Sequence, residues 1–382
     1  MYLPFDLATY AERLERTRGA IREQELDAIV VTLPDAIHWL TGFDTIGYLW
    51  AQSLLVDLSA DEPVLHTRTT EMPGARATCW LREPAFYDIA KVDPVQILAQ
   101  TIRERGLADA RIGIDLRSFT FLPAQWDELK RLLPEATFAD TTDLIAELRV
   151  VKTPEEITYQ RQAAEMADHA LRAAIDALRP GVSETYIAGV AAQALGEAGS
   201  EYAAIPPMVV SGPRSALVHG MAGRRTISKG DVVCIELGAA VHRYHAIVMR
   251  TAVIGGANAR VAEVHACTRE GYLAAVAAAR PGAAAKAPDE ACNAVLERLD
   301  LVRRRCHRIG YSIGVAYPPG WLEPMMLVEG DPHVLQPGMS FSIEPNLALH
   351  DEGFGIKLGD TVLCTDDGAE RLSKIEPDLF EV

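Results

Sequence analysis

Gly230-Asp-Val-Val-Cys-Ile-Glu236-Leu-Gly-Ala-Ala-Val-His-Arg-Tyr-His245-Ala-Ile247-Val-Met-Arg250-Thr251 reads as a β-hairpin. The run from Val232 to Leu237 is too short for a helix and rich in β-branched residues. Residues 239–243 make the connection, and Tyr244 to Ile254 form the return strand. A carboxylate in the middle of so apolar a run is unusual. Burying an unpaired charge is costly, so Glu236 calls for a partner, a metal or a ligand. A surface ion pair at a strand end is the plain alternative.

Upstream of the hairpin, Lys152-Thr153-Pro154-Glu155-Glu156 opens a long helix, with Thr153 as N-cap, Pro154 at the first helical position and two acids in the first turn. It runs to Leu178 and stops at Arg179-Pro180-Gly181; a second helix begins at Ser183-Glu184. About a hundred residues on, the layout returns. A helix from about Val261 stops at Arg280-Pro281-Gly282, and another covers Asp289 to Leu299. Strands follow each pair: residues 208–210, 232–237 and 244–254 in one half, about 307–316, 340–345 and 356–364 in the other. Two helix-helix-sheet halves describe an internally duplicated α+β domain over residues 149–382. Residues 1–148 alternate instead. Helices at 6–26, 94–106 and 123–133 intersperse strands at 28–33, 54–58, 63–67 and 111–115, the pattern of an α/β domain.

The totals agree with two soluble domains: 382 residues, 49% hydrophobic and 24% charged. No apolar run approaches a membrane span. The opening Met1-Tyr-Leu-Pro-Phe-Asp6 has no basic n-region or small-residue cleavage site, so the expectation is a cytoplasmic protein. Cys79, Cys234, Cys267, Cys292, Cys306 and Cys364 form no CxxC pair and read as reduced thiols. A net charge of −16 argues against nucleic acid or an anionic membrane as partner and is compatible with a cationic or zwitterionic small substrate.

Four segments set polar groups among apolar neighbours. Ser211 to Gly220 carries His219 after a flexible turn, and the hairpin carries Glu236, Tyr244 and His245. Cys306 to Gly314 places His307 at the start of an apolar strand, and Met339 to Pro345 ends a strand on Glu344. A lone histidine near a glycine turn is more often a structural hydrogen-bonder, and a strand-end glutamate is usually solvated. The four become a site only if the duplicated sheets close on one another.

In order and spacing these segments resemble the pita-bread superfamily of methionine aminopeptidase, Xaa-Pro peptidases and creatinase. The likeness spans the chain: a creatinase-type N-terminal domain, the Lys152-Thr-Pro-Glu-Glu linker, and the Val218-His219-Gly220, His307-Arg-Ile-Gly and Ile343-Glu344-Pro345 boxes. The resemblance implies five ligands for two divalent ions in the peptidases. Carried over, they fall on Glu236, on Ile247 eleven residues later, on His307, on Glu344 and on Gly359. A second peptidase histidine falls on Gly314. With two ligand positions lost, the resemblance implies no metal and no cofactor, because hard divalent ions need several oxygen ligands and bridging carboxylates.

What remains resembles the metal-free branch. Creatinase works without metal through residues at the His219 and Glu344 positions, although its guanidinium-binding glutamate falls on Met249. The Ile-Glu236-Leu-Gly context, Arg243-Tyr244-His245 and Arg308-Ile-Gly-Tyr-Ser-Ile-Gly…Pro-Pro-Gly-Trp321 are similar to ectoine hydrolases, while Ile343-Glu344-Pro-Asn and Gly355-Ile-Lys-Leu-Gly-Asp are more generic. The expectation is a metal-independent hydrolase of a C–N bond in a small amidine, guanidino or amide compound. Glu236 is nucleophile or general base, and His219 or His307 protonates the leaving nitrogen. Glu344 orients a histidine or pairs with a substrate cation. Tyr244, His245 and Arg250 are candidate substrate contacts, Arg250 alternatively a structural ion pair. The family resemblance implies a homodimer in which Tyr48 and Trp50 of one subunit cap the partner's site through their π faces. A prolidase-like metallopeptidase with a degenerate metal site and a catalytically silent binding module are the alternatives.

Overall fold

In the computed structural model, which describes residues 2–382, the first strand of the hairpin runs further than its apolar core suggests. It spans Val232–Val241 and returns as Tyr244–Val253, so the connection is only His242-Arg243. Both turn residues have positive φ, 49° and 68°, as a two-residue turn between right-twisted strands requires. That turn chemistry usually falls to Asn-Gly, which hid the tight connection in the sequence.

The chain divides into two units, Met1–Leu148 and Arg149–Val382. The first is α/β. Strands β1 (Ala28–Val31), β2 (Ser53–Asp57), β3 (Val64–Arg68), β4 (Ala85–Tyr87), β5 (Arg111–Ile114) and β6 (Thr137–Asp140) form one sheet in the order β4-β3-β2-β1-β5-β6. Parallel pairs β3–β4, β1–β5 and β5–β6 flank the antiparallel ones. Helices Pro94–Glu104 and Pro123–Leu132 cover β1 and β5 through Leu98, Ile102, Ile112 and Leu129. The short helix Pro34–Thr41, nearly all buried, was not anticipated because its apolar residues show no helical periodicity.

The second unit is α+β and repeats its layout. Helix α1 (Pro154–Asp176) starts at a reciprocal cap: Thr153 Oγ1 accepts from Glu156 N–H, and Glu156 Oε2 accepts from Thr153 N–H. Helix α2 (Glu184–Glu197) is capped by Ser183. The second half brings α3 (Ala259–Ala278), capped by Asn258, and α4 (Ala287–Leu296). The strands are β7 (Met208–Ser211), β8 (Val232–Val241), β9 (Tyr244–Val253), β10 (Tyr311–Ile313), β11 (Leu322–Met326), β12 (Ser340–Ile343), β13 (Leu347–Leu349), β14 (Phe354–Ile356), β15 (Gly359–Thr365), β16 (Gly368–Arg371) and β17 (Phe380–Glu381). Their main sheet has the order β11-β10-β12-β15-β9-β8-β7, and its two halves meet where β15 pairs with β9, Gly359 opposite Met249.

Strand alternation assigns the faces. Val233, Ile235, Leu237 and Ala239 pack with α1 and α2. Val232 and Cys234 belong to the core that holds α3 and α4. Glu236 shares the parity of Val232 and Cys234. On β9, Ile247 and Met249 lie on that same side, in a cluster with Tyr311, Ile313 and Trp321. No helix of the described residues is long and apolar enough to cross a membrane.

Candidate active site

Glu236, His219, His307 and Glu344 line one cavity of about 350 Å³ in the second unit. Its apolar walls include Ile205, Met208, Val218, Met249, Trp321 and Leu322, and Arg308, Tyr311 and Asn346 add polar groups. That composition and size suit a small ligand held by a few convergent polar side chains.

Glu236 projects from the middle of β8, almost wholly buried, with Met208 beside it on β7 and Met249 on β9. Its partner is Lys357, also buried, whose ammonium forms an ion pair with Glu236 Oε2. Lys357 is itself held by a two-way hydrogen bond: its N–H donates to Thr251 Oγ1 at 2.9 Å, and that hydroxyl donates to the Lys357 carbonyl at 2.8 Å. Sequence reasoning missed this lysine. The available signal was a lone cation between Phe354 and Leu358 in an otherwise apolar stretch.

Glu344 follows β12, with its N–H bonded to Ile309 O at 2.7 Å. Burial, and then the charge of Glu236, push its carboxyl well above the usual carboxylate range, which favours its protonated form. Tyr311 Oη donates to Glu344 Oε2 at 3.3 Å and accepts from Trp321 Nε1 at 2.9 Å.

His307 lies in a loop before β10, not at the start of a strand. Gly310 fixes this loop against β12, since a Cβ there would stand 1.8 Å from the Ser342 carbonyl oxygen. His307 Nδ1 lies 2.6 Å from the Arg308 carbonyl, so Nδ1–H donates and Nε2 keeps a lone pair. Desolvation pushes the imidazole down to about 4. His307 is therefore neutral at pH 7 and placed to accept a proton before it could donate one to a leaving nitrogen. His219 is exposed at the cavity.

The three candidate substrate contacts on the hairpin do not reach the cavity. Arg250 is buried in its own acceptors: Asp360 Oδ1 at 2.8 Å and the carbonyls of Met249, Gly359 and Glu376 at 2.8, 3.1 and 3.0 Å. It is the structural ion pair of the two readings. Tyr244 Oη donates to Glu156 Oε1 at 2.7 Å, tying the hairpin to α1. His245 has both nitrogens engaged, Nδ1 with Arg243 O at 2.8 Å and Nε2 accepting from Ala204 N–H at 2.9 Å. Burial lowers it to about 4. Tyr48 and Trp50 sit in the first unit. Tyr48 is buried with its ring edge-on to Phe119 at 6.4 Å, and Trp50 is half exposed with the Arg68 guanidinium 5.0 Å over its ring.

The positions that would hold two divalent ions do not fit them. Ile247 packs with Trp321 and Tyr311 in an apolar cluster. At Gly359 a Cβ would come within 2.9 Å of Glu344 Cβ and 3.0 Å of the Ile343 carbonyl, so a ligating side chain has no room. At Gly314 the space is taken by Glu323, 2.5 Å from a notional Cβ and paired with Lys152 at 2.6 Å. Glu236, the remaining carboxylate of that set on β8, already has an ammonium as counter-ion. Among the described residues no group of three or more His, Cys, Asp or Glu is disposed to hold a metal ion.

Residues 158–366 match metallopeptidase family M24, and residues 13–151 match the creatinase/prolidase N-terminal domain. The ectoine hydrolase of Halomonas elongata is 30% identical over 396 aligned residues, covering 99% of this chain and 98% of that protein. The Xaa-Pro dipeptidase of Pyrococcus furiosus is 29% identical over 369, covering 97% and 99%. The crystal structure of a recombinant prolidase from Thermococcus sibiricus superposes with a TM-score of 0.89 at 24% identity, over 98% of this chain and 99% of that one, a likeness of fold.

Proposed function

This chain belongs to metallopeptidase family M24, with a creatinase/prolidase N-terminal domain ahead of the catalytic one, and from that premise we propose that it hydrolyses a C–N bond in a small amidine, guanidino or amide compound with its own side chains in place of the metal pair. The observation that carries the reading is the buried Lys357–Glu236 pair. It supplies one positive charge where the peptidases need two divalent ions, and Ile247 and Gly359 remove two of the oxygen donors such ions require. The full-length likeness to an ectoine hydrolase, an enzyme named for a non-peptide substrate, supports the same reading.

Two chemical routes are open to Glu236. As nucleophile, its carboxylate adds to the electrophilic carbon, the C–N bond breaks with its electron pair going to nitrogen, and water then hydrolyses the covalent intermediate, an acyl-enzyme for an amide and its imino counterpart for an amidine or guanidino compound, to free the Glu236 carboxylate. As general base, it takes a proton from water while the water oxygen adds to the same carbon. In either route the leaving nitrogen needs a proton. Glu344, whose protonated form is favoured by burial and by the charge of Glu236, supplies it, with Tyr311 bonded to its Oε2. In the nucleophilic route His307 Nε2, neutral with a free lone pair, accepts a proton from the water that hydrolyses the covalent intermediate. The protein is further taken to act as a cytoplasmic homodimer in which half-exposed Trp50 caps the partner's site, while Tyr48, buried against Phe119, supports that segment rather than presenting its own ring.

The peptidase reading keeps one specific support, the 29% identity to a Xaa-Pro dipeptidase over nearly the whole chain. One experiment separates the two. Protein stripped with chelator is assayed on ectoine, creatine and Xaa-Pro dipeptides, with and without added Mn²⁺, Co²⁺ or Zn²⁺. Metal-free turnover of a non-peptide compound is expected, falling about 10²–10⁴-fold in Glu236→Gln. Turnover confined to dipeptides and appearing only with metal would overturn the proposal.

A further inference from the structure

We propose that Arg308 is the anchor for a carboxylate on the substrate, so that the compound cleaved here is an amino-acid-like C–N compound with an anionic group rather than a simple cation. This rests on reading the cavity as the active site. Arg308 lines that cavity with Glu236 and Glu344. Its guanidinium lies 4.9 Å over the Tyr311 ring, and Tyr311 is itself held by the Trp321 N–H, so the cation rests on a fixed platform. Its Nε is buried with no hydrogen-bond partner among the described residues.

Its sequence neighbours differ. Arg303 pairs with Asp300, Arg304 with Asp351, and Arg305 with Asp289 at 2.7 Å. The cavity carboxylates are already engaged, Glu236 by Lys357 and Glu344 by Tyr311. A buried guanidinium N–H without an acceptor is costly to leave unmade. The planar fork matches a carboxylate with two parallel hydrogen bonds. The wall therefore presents a preorganised donor whose Nε–H has no acceptor among the described residues, in the cavity that also holds Glu236, and its charge reaches the carboxyl of Glu344. A ligand carboxylate supplies that acceptor.

The test is equilibrium binding to the full chain of matched acid and carboxamide pairs: a cyclic amidine carboxylic acid and its carboxamide, N-acetyl-2,4-diaminobutyrate and its carboxamide, Gly-Pro and its amide. In at least one pair the acid is expected to bind tenfold or more tightly than its amide. Arg308→Met abolishes that preference and leaves the amide's affinity within twofold. Arg308→Lys, which keeps the charge and loses the fork, cuts the preference at least threefold and serves if the Met variant melts early. No preference for any acid in the parent, or a preference undiminished in the variants, overturns the inference. Because binding and not turnover is read, a chain that binds acids through Arg308 yet hydrolyses nothing sinks the proposed hydrolysis and leaves this inference standing.

Discussion

Lys357→Met should be the most informative single change in the molecule. Both partners of the Lys357–Glu236 pair are buried, with side-chain exposures of 2% and 7%. Removing one partner of such a pair leaves the other desolvated without a counter-charge, which costs about 3–5 kcal/mol. At about 2–4 °C per kcal/mol for a domain of this size, the melting midpoint should fall by roughly 6–20 °C. The double variant Glu236→Gln/Lys357→Met removes both charges and should recover a good part of that loss, so the two changes should be strongly non-additive. Thermal and urea unfolding of parent, singles and double close the cycle, with hydrolysis measured on each folded sample. Lys357→Met should also slow turnover, because the carboxylate loses the cation that fixes its orientation. A Lys357→Met protein that melts within about 2 °C of the parent, or a cycle that simply sums, would refute the pair as an energetic unit.

Arg250→Met should destabilise by about 1–3 kcal/mol, because buried Asp360 loses one charged partner while keeping Arg371 Nε at 3.1 Å and the Tyr272 hydroxyl, yet leave KM unchanged for the folded protein; a raised KM with unchanged stability would return Arg250 to the substrate. Stability should also fall with pH through the acid range. His245 sits at about 4 when folded against 6.5 for the free side chain, so between those values the unfolded chain binds the proton and the folded chain does not. Nothing is lost above 6.5, and roughly 3 kcal/mol is lost on descending to 4. His245→Gln should flatten the urea-derived stability curve over that window, and an unchanged slope would show that the histidine takes no part in it.

These tests fall where local sequence stops speaking. The caps at Thr153 and Ser183 and the apolar run around Glu236 are short-range signals, and both α1 and β8 form where they point. Lys357 and Arg308 are different. Lys357 acquires its meaning only when β15 pairs with β9 and closes the two halves of the sheet, more than a hundred residues from Glu236 along the chain. Arg308 matters because of an acceptor it lacks, which no sequence pattern displays. The hairpin contacts failed for a reason that strand geometry could have supplied. Arg250 stands opposite Ile235 and Tyr244 opposite Val241, so both have the parity facing away from Glu236. His245 has the right parity but lies four residues before Met249, about 13 Å along the strand at roughly 3.3 Å per residue. On the return strand Met249 alone stands directly across from Glu236. A thioether there, bonded by Asn346 Nδ2 at 3.4 Å, gives the attacking acid an apolar neighbour and leaves polar recognition of the ligand to other groups that line the cavity, Arg308 among them.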